Sequence, residues 1–199
     1  MNRPSAVGSL LFLFGGSVLC AGAVEKYTYW IAPCEDTCQA GDPQLAEWAF
    51  GAWQTAASGT IQFTIVEHPE HARIRLYWGS PEQGLYGEAR PIVVDGKKGA
   101  EVYVRPAPLA TPAPQANDDT LLRDAVVYLT CLHETGHALG LAHTATFDDI
   151  MYSFQYGGDI PEYFARYRRK LRTRADIRKN SGLSDADRSH LLEAVKERK

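Results

Sequence analysis

The first half of the chain alternates apolar and polar residues, as half-buried β-strands do. The apolar positions of three such segments are Tyr27, Tyr29 and Ile31, then Ile61, Phe63 and Ile65, then Ala72, Ile74, Leu76 and Trp78. Residues 92–94 and 102–104 flank a run of turn-forming residues at 95–99, which predicts a β-hairpin. The pattern therefore places the predicted strands before residue 105.

Residues 45–56 instead carry apolar side chains at helical spacing. Asp42-Pro43 predicts the start of this helix, because Asp can accept from the free amides of a first turn and Pro fits there. Ser58-Gly59 predicts its end.

A second helix is predicted from a cap at Asn117, Asp118 or Asp119 to about Leu139, with a broad apolar face. A last helix is expected near Ser184, where residues 184–187 (Ser-Asp-Ala-Asp) resemble a capping box with Asp in place of Glu.

Residues 1–23 have the features of a signal peptide: Arg3, an apolar run at 10–19, and Ala-Gly-Ala at 21–23, so that Val24 would begin the mature chain. The apolar run is about half the length that spans a bilayer, which disfavours a retained anchor. A lipid-modified Cys20 is a further alternative that Leu19 disfavours. We therefore expect a secreted or periplasmic protein without a membrane span after signal removal.

Three cysteines remain in the mature chain. Cys34 and Cys38 are four residues apart, and in an exported protein they predict a local disulfide. Cys131 is two positions before His133 on the predicted helix, so it points away from that residue's face and is expected to be a buried thiol.

The 199 residues are 45% hydrophobic and carry a formal net charge of −3, which fits one globular domain with its own core. The charge is uneven, because the body up to Phe154 is acidic and the remainder is basic. Residues 166–179 contain eight Lys and Arg residues. They form either a solvated helix or a docking patch for an anionic partner within residues 160–180. Nucleic acid is not an expected partner.

The segment at residues 133–143, His-Glu-Thr-Gly-His-Ala-Leu-Gly-Leu-Ala-His, carries the candidate chemistry. His133 and His137 are four residues apart, so a helix presents both imidazoles to one point, as a zinc half-site requires. His143 can join them only if the chain turns sharply, and Gly140 is the residue that permits such a turn.

Three histidines leave one zinc coordination position open, as in catalytic sites. Glu134 does not face the metal squarely but can reach a metal-bound water, which makes it the candidate general base. The sequence therefore predicts hydrolysis by an activated water.

This segment resembles the metzincin metallopeptidases, whose motif His-Glu-x-x-His-x-x-Gly-x-x-His it matches in full. It is most similar to the matrixins, including the filler residues Ala-Leu-Gly-Leu at 138–141. Met151, in Asp-Ile-Met-Tyr-Ser at 149–153, resembles the methionine of the Met-turn, a hydrophobic floor beneath the imidazoles. Tyr152 follows it directly and is not assigned as a metal ligand.

The resemblance implies an α+β zincin fold over residues 24–199, with a twisted, mostly parallel five-stranded sheet packed on two long helices. It implies an upper subdomain at 24–140 and a small lower subdomain at 141–199 that ends in a helix. It also implies a substrate cleft above the zinc, where an edge strand near residues 100–104 would pair with an extended peptide.

Two features of matrixins are not expected. Val24 lies almost directly before the first strand, so a propeptide with a zinc-capping cysteine is not predicted. His68, His71 and His190 lack the spacing of a second, structural zinc site and are expected at the surface. Calcium binding has no support in the sequence.

Two functions remain open. The first is a monomeric, secreted zinc endopeptidase that acts on proteins or peptides. The second is a noncatalytic binding module in which zinc only stabilises the fold and residues 160–180 bind an anionic partner. The presence of Glu134 favours the first.

Overall fold

The computed structural model describes residues 24–35, 37–79, 86–106 and 119–197, so the predicted signal peptide lies outside the described residues. The strands are β1 (Glu25–Ile31), β2 (Ile61–Ile65), β3 (Ile74–Trp78), β4 (Gly87–Val94) and β5 (Lys97–Val104). The α-helices are α1 (Asp42–Ala56), α2 (Thr120–Ala138), α3 (Ile160–Arg168) and α4 (Asp185–Lys196). Short 3-10 segments lie at Pro69–His71, Phe154–Tyr156 and Arg174–Lys179.

The five strands form one sheet in the order β2-β1-β3-β5-β4. All neighbouring pairs are parallel except β4 and β5. The predicted mostly parallel, five-stranded sheet is confirmed. The expectation that residues 100–104 form an edge is wrong, because the hairpin folds β4 onto the outer side of β5 and makes β4 the edge strand.

The hairpin turn is tighter than the sequence predicted. Asp95 and Gly96 have φ angles of 49° and 72°, so both adopt the left-handed conformation of a type I′ turn. Val94 pairs with Lys97 directly across that turn. The connection is therefore two residues long, and residues 97–99 belong to β5.

The core lies between the sheet and two helices. α1 and α2 pack against each other, α2 also contacts β4 and β5, and α1 contacts β2. Trp53 of α1 is fully buried, and its indole Nε1 donates to the Leu132 carbonyl of α2 at 2.9 Å. α2, which contains two of the three candidate metal ligands, is thus fixed on both sides.

The start of α1 differs from the prediction. Gly41 is the N-cap, and no side chain caps the helix. The fully buried Asp42 instead accepts from the guanidinium of Arg123 on α2, with Oδ2 2.6 Å from Nη2. A distant guanidinium competes with the local amides for this carboxylate, so that Asp42 joins the two helices.

The other predicted caps are present. Asp119 caps α2 by accepting from the amides of Leu121 and Leu122 at 3.1 and 2.9 Å. Ser184 and Asp187 form the predicted capping box of α4. Cys34 and Cys38 are joined by the predicted disulfide, and Cys131 is buried.

Within the part of the chain that the structure describes, no helix is both long enough and apolar enough to cross a bilayer.

Candidate metal centre and cleft

The end of α2 brings the third histidine to the first two. His133 and His137 lie one turn apart on α2, which ends at Ala138. Gly140 has a φ of 82°, the Gly140 amide donates to the His137 carbonyl at 2.8 Å, and the Leu141 amide donates to the Gly136 carbonyl at 3.0 Å. This Schellman motif reverses the chain and returns His143 to the helix.

The three imidazoles converge on one point. Nε2 of His143 lies 3.2 Å from Nε2 of His133 and 3.0 Å from Nε2 of His137. Tetrahedral zinc with Zn–N bonds of about 2.0–2.1 Å holds its nitrogen ligands about 3.3 Å apart. The arrangement therefore fits a zinc ion with three imidazole ligands.

Two of the imidazoles have a fixed tautomer. Nδ1 of His133 donates to the Ile150 carbonyl at 2.6 Å, and Nδ1 of His137 donates to the Leu141 carbonyl at 2.9 Å. Nε2 of His133 and Nε2 of His137 are then unprotonated, and their lone pairs point to the space between the three imidazoles. A cation bound there would offset the repulsion between these lone pairs. Burial, and then the neighbouring His137, lower the pKa of His133 to about 3, and burial also lowers the pKa of His137 and of His143. The histidines are thus held neutral, as metal ligands must be.

Met151 packs directly behind the metal centre. It is fully buried, and a Cβ placed on Gly136 would lie 2.5 Å from its Sδ. Gly136 lies between the two helical histidines in sequence, so the methionine supports this part of α2 from below. The residue that resembles the methionine of the Met-turn therefore lies next to the helical turn that contains His133 and His137.

The group that anchors this turn was not predicted from the sequence. The carboxylate of Asp187, fully buried at the start of α4, accepts from the Ile150 amide at 2.9 Å and from the Met151 amide at 3.4 Å. Ile150 in turn accepts from His133 through its carbonyl. The capping box was the only signal for Asp187, and it does not reveal this second set of donors.

Glu134 lies in the cleft beside the histidines. It is 6% exposed, and its burial, together with the negative charge of Glu88, raises the pKa of its carboxyl to about 8. A divalent cation held by the histidines would favour the ionised form and oppose both effects. The carboxylate is therefore sensitive to the charge of the metal centre.

A cavity of about 580 Å³ opens in front of the histidines and Glu134. One wall is the start of the edge strand β4, and the opposite wall is the segment after Met151 together with α3. The large apolar and aromatic residues in its lining are Tyr86, Leu129, Tyr152, Phe154, Tyr163 and Phe164. The cleft thus combines a polar centre with a large apolar recess.

Other candidate ligands lie elsewhere. Across the described ranges, the three histidines are the one group of His, Cys, Asp or Glu side chains able to share a metal ion. His68, His71 and His190 are exposed, as predicted. Tyr152 donates through its hydroxyl to the Gly157 carbonyl at 2.9 Å, in a role separate from the metal.

The basic segment at residues 166–179 is not one solvated helix. α3 ends at Arg168, and its Tyr163, Phe164 and Tyr167 are buried. Five of the eight basic residues form ion pairs within the chain: Arg166 with Asp148, Arg168 with Asp119, Arg169 with Glu162, Arg174 with Asp124, and Lys179 with Asp176. Arg168 and Arg174 thus attach the C-terminal segment to the start of α2, whereas Arg169 and Lys179 pair within the segment itself.

Comparison with known proteins places the chain among metallopeptidases. A family model described as matrixin matches residues 23–162. Among solved structures, archaemetzincin from Methanopyrus kandleri is 15% identical, with 90% of this chain and 99% of that chain covered and a TM-score of 0.44. No curated protein sequence matches significantly.

Proposed function

We propose that this chain, which belongs to the matrixin family, is a secreted zinc-dependent endopeptidase. The observation that carries the proposal is the convergence of His133, His137 and His143, with two of the three imidazoles oriented by backbone carbonyls. These three residues would hold the metal, and Glu134 would act as the general base.

The donor set favours catalysis over a structural role. A structural zinc site is closed by a fourth protein ligand, whereas a catalytic site leaves that position to water or substrate. The described part of the chain offers three ligands at this point. Zinc bound there would polarise the scissile carbonyl and lower the pKa of the attacking water.

Glu134 is placed to handle the proton. Its carboxylate lines the same cavity as the three imidazoles. It would accept a proton from the attacking water and transfer it to the leaving amine, which cannot depart as an anion. The low exposure of Glu134 keeps bulk water from competing for that proton.

The cleft suits an extended polypeptide. β4 is an edge strand, and its first residues line the cavity, so its free backbone groups can pair with a substrate strand. The aromatic recess would take a large apolar side chain next to the cleaved bond. The proposed substrate class is therefore a protein or peptide with an apolar residue at that place.

Export is part of the proposal. It rests on residues 1–23 of the sequence and is supported by the Cys34–Cys38 disulfide, since such bonds persist in oxidising compartments. Expression with the native N-terminus should yield a mature chain that begins at Val24. Recovery of a cytoplasmic chain that still begins at Met1 would refute this part.

Glu134→Gln tests the mechanism, because glutamine has nearly the same size and shape as glutamate but cannot act as a general base. Hydrolysis of an unfolded protein should fall by about 10²–10⁴-fold, with the zinc content unchanged. A chelator should abolish the activity of the parent protein, and added zinc should restore it. Equal rates for the parent protein and the variant would exclude Glu134 as the base.

A further inference from the structure

The first residue of the edge strand lies unusually close to Glu134. Gly87 pairs with Val104 of β5, and a side chain at this position would point towards α2. A Cβ placed on Gly87 would lie 2.7 Å from Cγ and 2.9 Å from Oε1 of Glu134, and 2.9 Å from Cγ2 of Thr130. Carbon atoms in contact are normally about 3.5–4.0 Å apart, so the structure has no room for a side chain at residue 87.

Packing is what holds the Glu134 side chain. In the parts of the chain that the structure describes, no hydrogen-bond donor or cation pairs with its carboxylate. Thr130, one turn earlier on α2, presents its methyl group to the same strand. The aliphatic part of Glu134 therefore lies against the backbone of β4. Among the described residues, this packing and not a hydrogen bond sets the position of the carboxylate.

We propose that Gly87 is a positioning residue for Glu134, whose carboxylate has its catalytic orientation only when residue 87 lacks a side chain. This inference rests on the proposed peptidase function. A methyl group at residue 87 would push the Glu134 carboxylate away from the attacking water while the three histidines stay in place.

The contacts distinguish Gly87 from glycines that serve the fold. Gly87 does not have a positive φ, so its backbone accepts alanine. The atoms that a Cβ would meet belong to side chains, which can rotate. At Gly99, by contrast, a Cβ would lie 2.1 Å from the backbone carbonyl oxygen of Arg73. Alanine at residue 87 should therefore move Glu134, whereas alanine at residue 99 should disrupt the sheet.

The test is Gly87→Ala, compared with Gly51→Ala, where a Cβ meets nothing within 4 Å. We expect kcat of Gly87→Ala to fall by about 10–100-fold, because a displacement of about 1 Å is enough for such a loss. KM, the zinc affinity measured by chelator competition and the thermal midpoint should stay close to those of the parent protein. Gly51→Ala should retain the parent kcat.

The outcomes separate the alternatives. An unchanged kcat in Gly87→Ala overturns the inference, and so does a loss of kcat that is accompanied by an equal loss of zinc affinity. If Gly87→Ala does not fold, Gly87→Ala/Thr130→Ser removes the second contact. A folded double variant with low kcat supports the role of Gly87, and one with parent kcat overturns it. A parent protein without hydrolytic activity would instead refute the proposed function.

Discussion

The imidazole of His133 and the backbone carbonyl of Ile150 form a 2.6 Å hydrogen bond that joins the candidate metal centre to the predicted Met-turn. The backbone amide of Ile150 donates to the carboxylate of Asp187 at 2.9 Å. The orientation of one candidate metal ligand thus depends on a carboxylate in the last helix.

Asp187→Asn should weaken both the fold and the metal centre. The buried carboxylate accepts from three backbone amides, and an Asn amide group can replace only part of these bonds. We expect a loss of about 1–3 kcal/mol in the free energy of unfolding and a zinc affinity lower by about 10–100-fold. Urea unfolding and chelator competition measure the two effects. The exposed Asp185, on the same helix, provides the control Asp185→Asn, and equal behaviour of both variants would contradict the assigned role.

His143→Ala should remove zinc binding with little change to the fold. His143 lies in the exposed turn after α2, so its loss leaves the core intact and removes one of three ligands. Zinc should raise the thermal midpoint of the parent protein but not that of the variant. His190→Ala, at an exposed position outside the site, is the control. A zinc-dependent shift of parent size in His143→Ala would show that the metal binds elsewhere.

Phe164→Leu should alter the cleavage preference. Phe164 is 4% exposed and packs against Tyr86, with ring centroids 5.1 Å apart, at the apolar end of the cavity. A smaller side chain enlarges the recess. The kcat/KM for a peptide with a large apolar residue at the cleaved bond should therefore rise relative to the kcat/KM for a peptide with a small one. Phe63→Leu makes the same change in the remote cluster of Phe50 and Tyr29 and should leave that ratio constant. An unchanged ratio in both variants would place the recess outside the substrate site.

Acid should loosen the attachment of α3 to α2. Burial works against ionisation of Asp119, but the hydrogen bonds from Arg168 and two backbone amides outweigh it and lower the pKa of Asp119. A lowered folded-state pKa gives stabilisation that is present above the unfolded value of about 4 and is lost as the pH falls through the folded value. The protection factors of the α3 amides against hydrogen exchange, which correct for the intrinsic effect of pH, should therefore fall below about pH 4. Asp119→Asn should remove that pH dependence, while the exposed Glu67→Gln should retain it.

The convergence of the three histidines could be predicted from the sequence because every feature that produces it is local. The spacing of His133 and His137 needs only the helical repeat, and Gly140 marks the one place where the chain can reverse. The Cys34–Cys38 bond and the capping box at Ser184 are equally short in range. Such features depend on residues within a few positions of one another.

The errors concern partners that are distant in sequence. Asp42 was predicted to cap its own helix, but Arg123 lies 81 residues away and takes its carboxylate. The strand at residues 100–104 was predicted to be the edge, but β4 pairs with its outer side. That choice depends on the order of all five strands, which no local sequence pattern reveals. The partners of Arg168 and Arg174 lie about 50 residues earlier, so a basic run gave no sign of its internal ion pairs.

The contact between Asp187 of α4 and the amides of Ile150 and Met151 also affects the order in which the site forms. Asp187 leaves the ribosome after every metal ligand, so a nascent chain contains all three histidines before it has the group that orients the first of them. The enzyme would then stay inert towards its own unfolded segments until the C-terminal helix docks. Mature chains that end at residue 180 or at residue 197, refolded with zinc, should differ accordingly, with proteolytic activity restricted to the longer one.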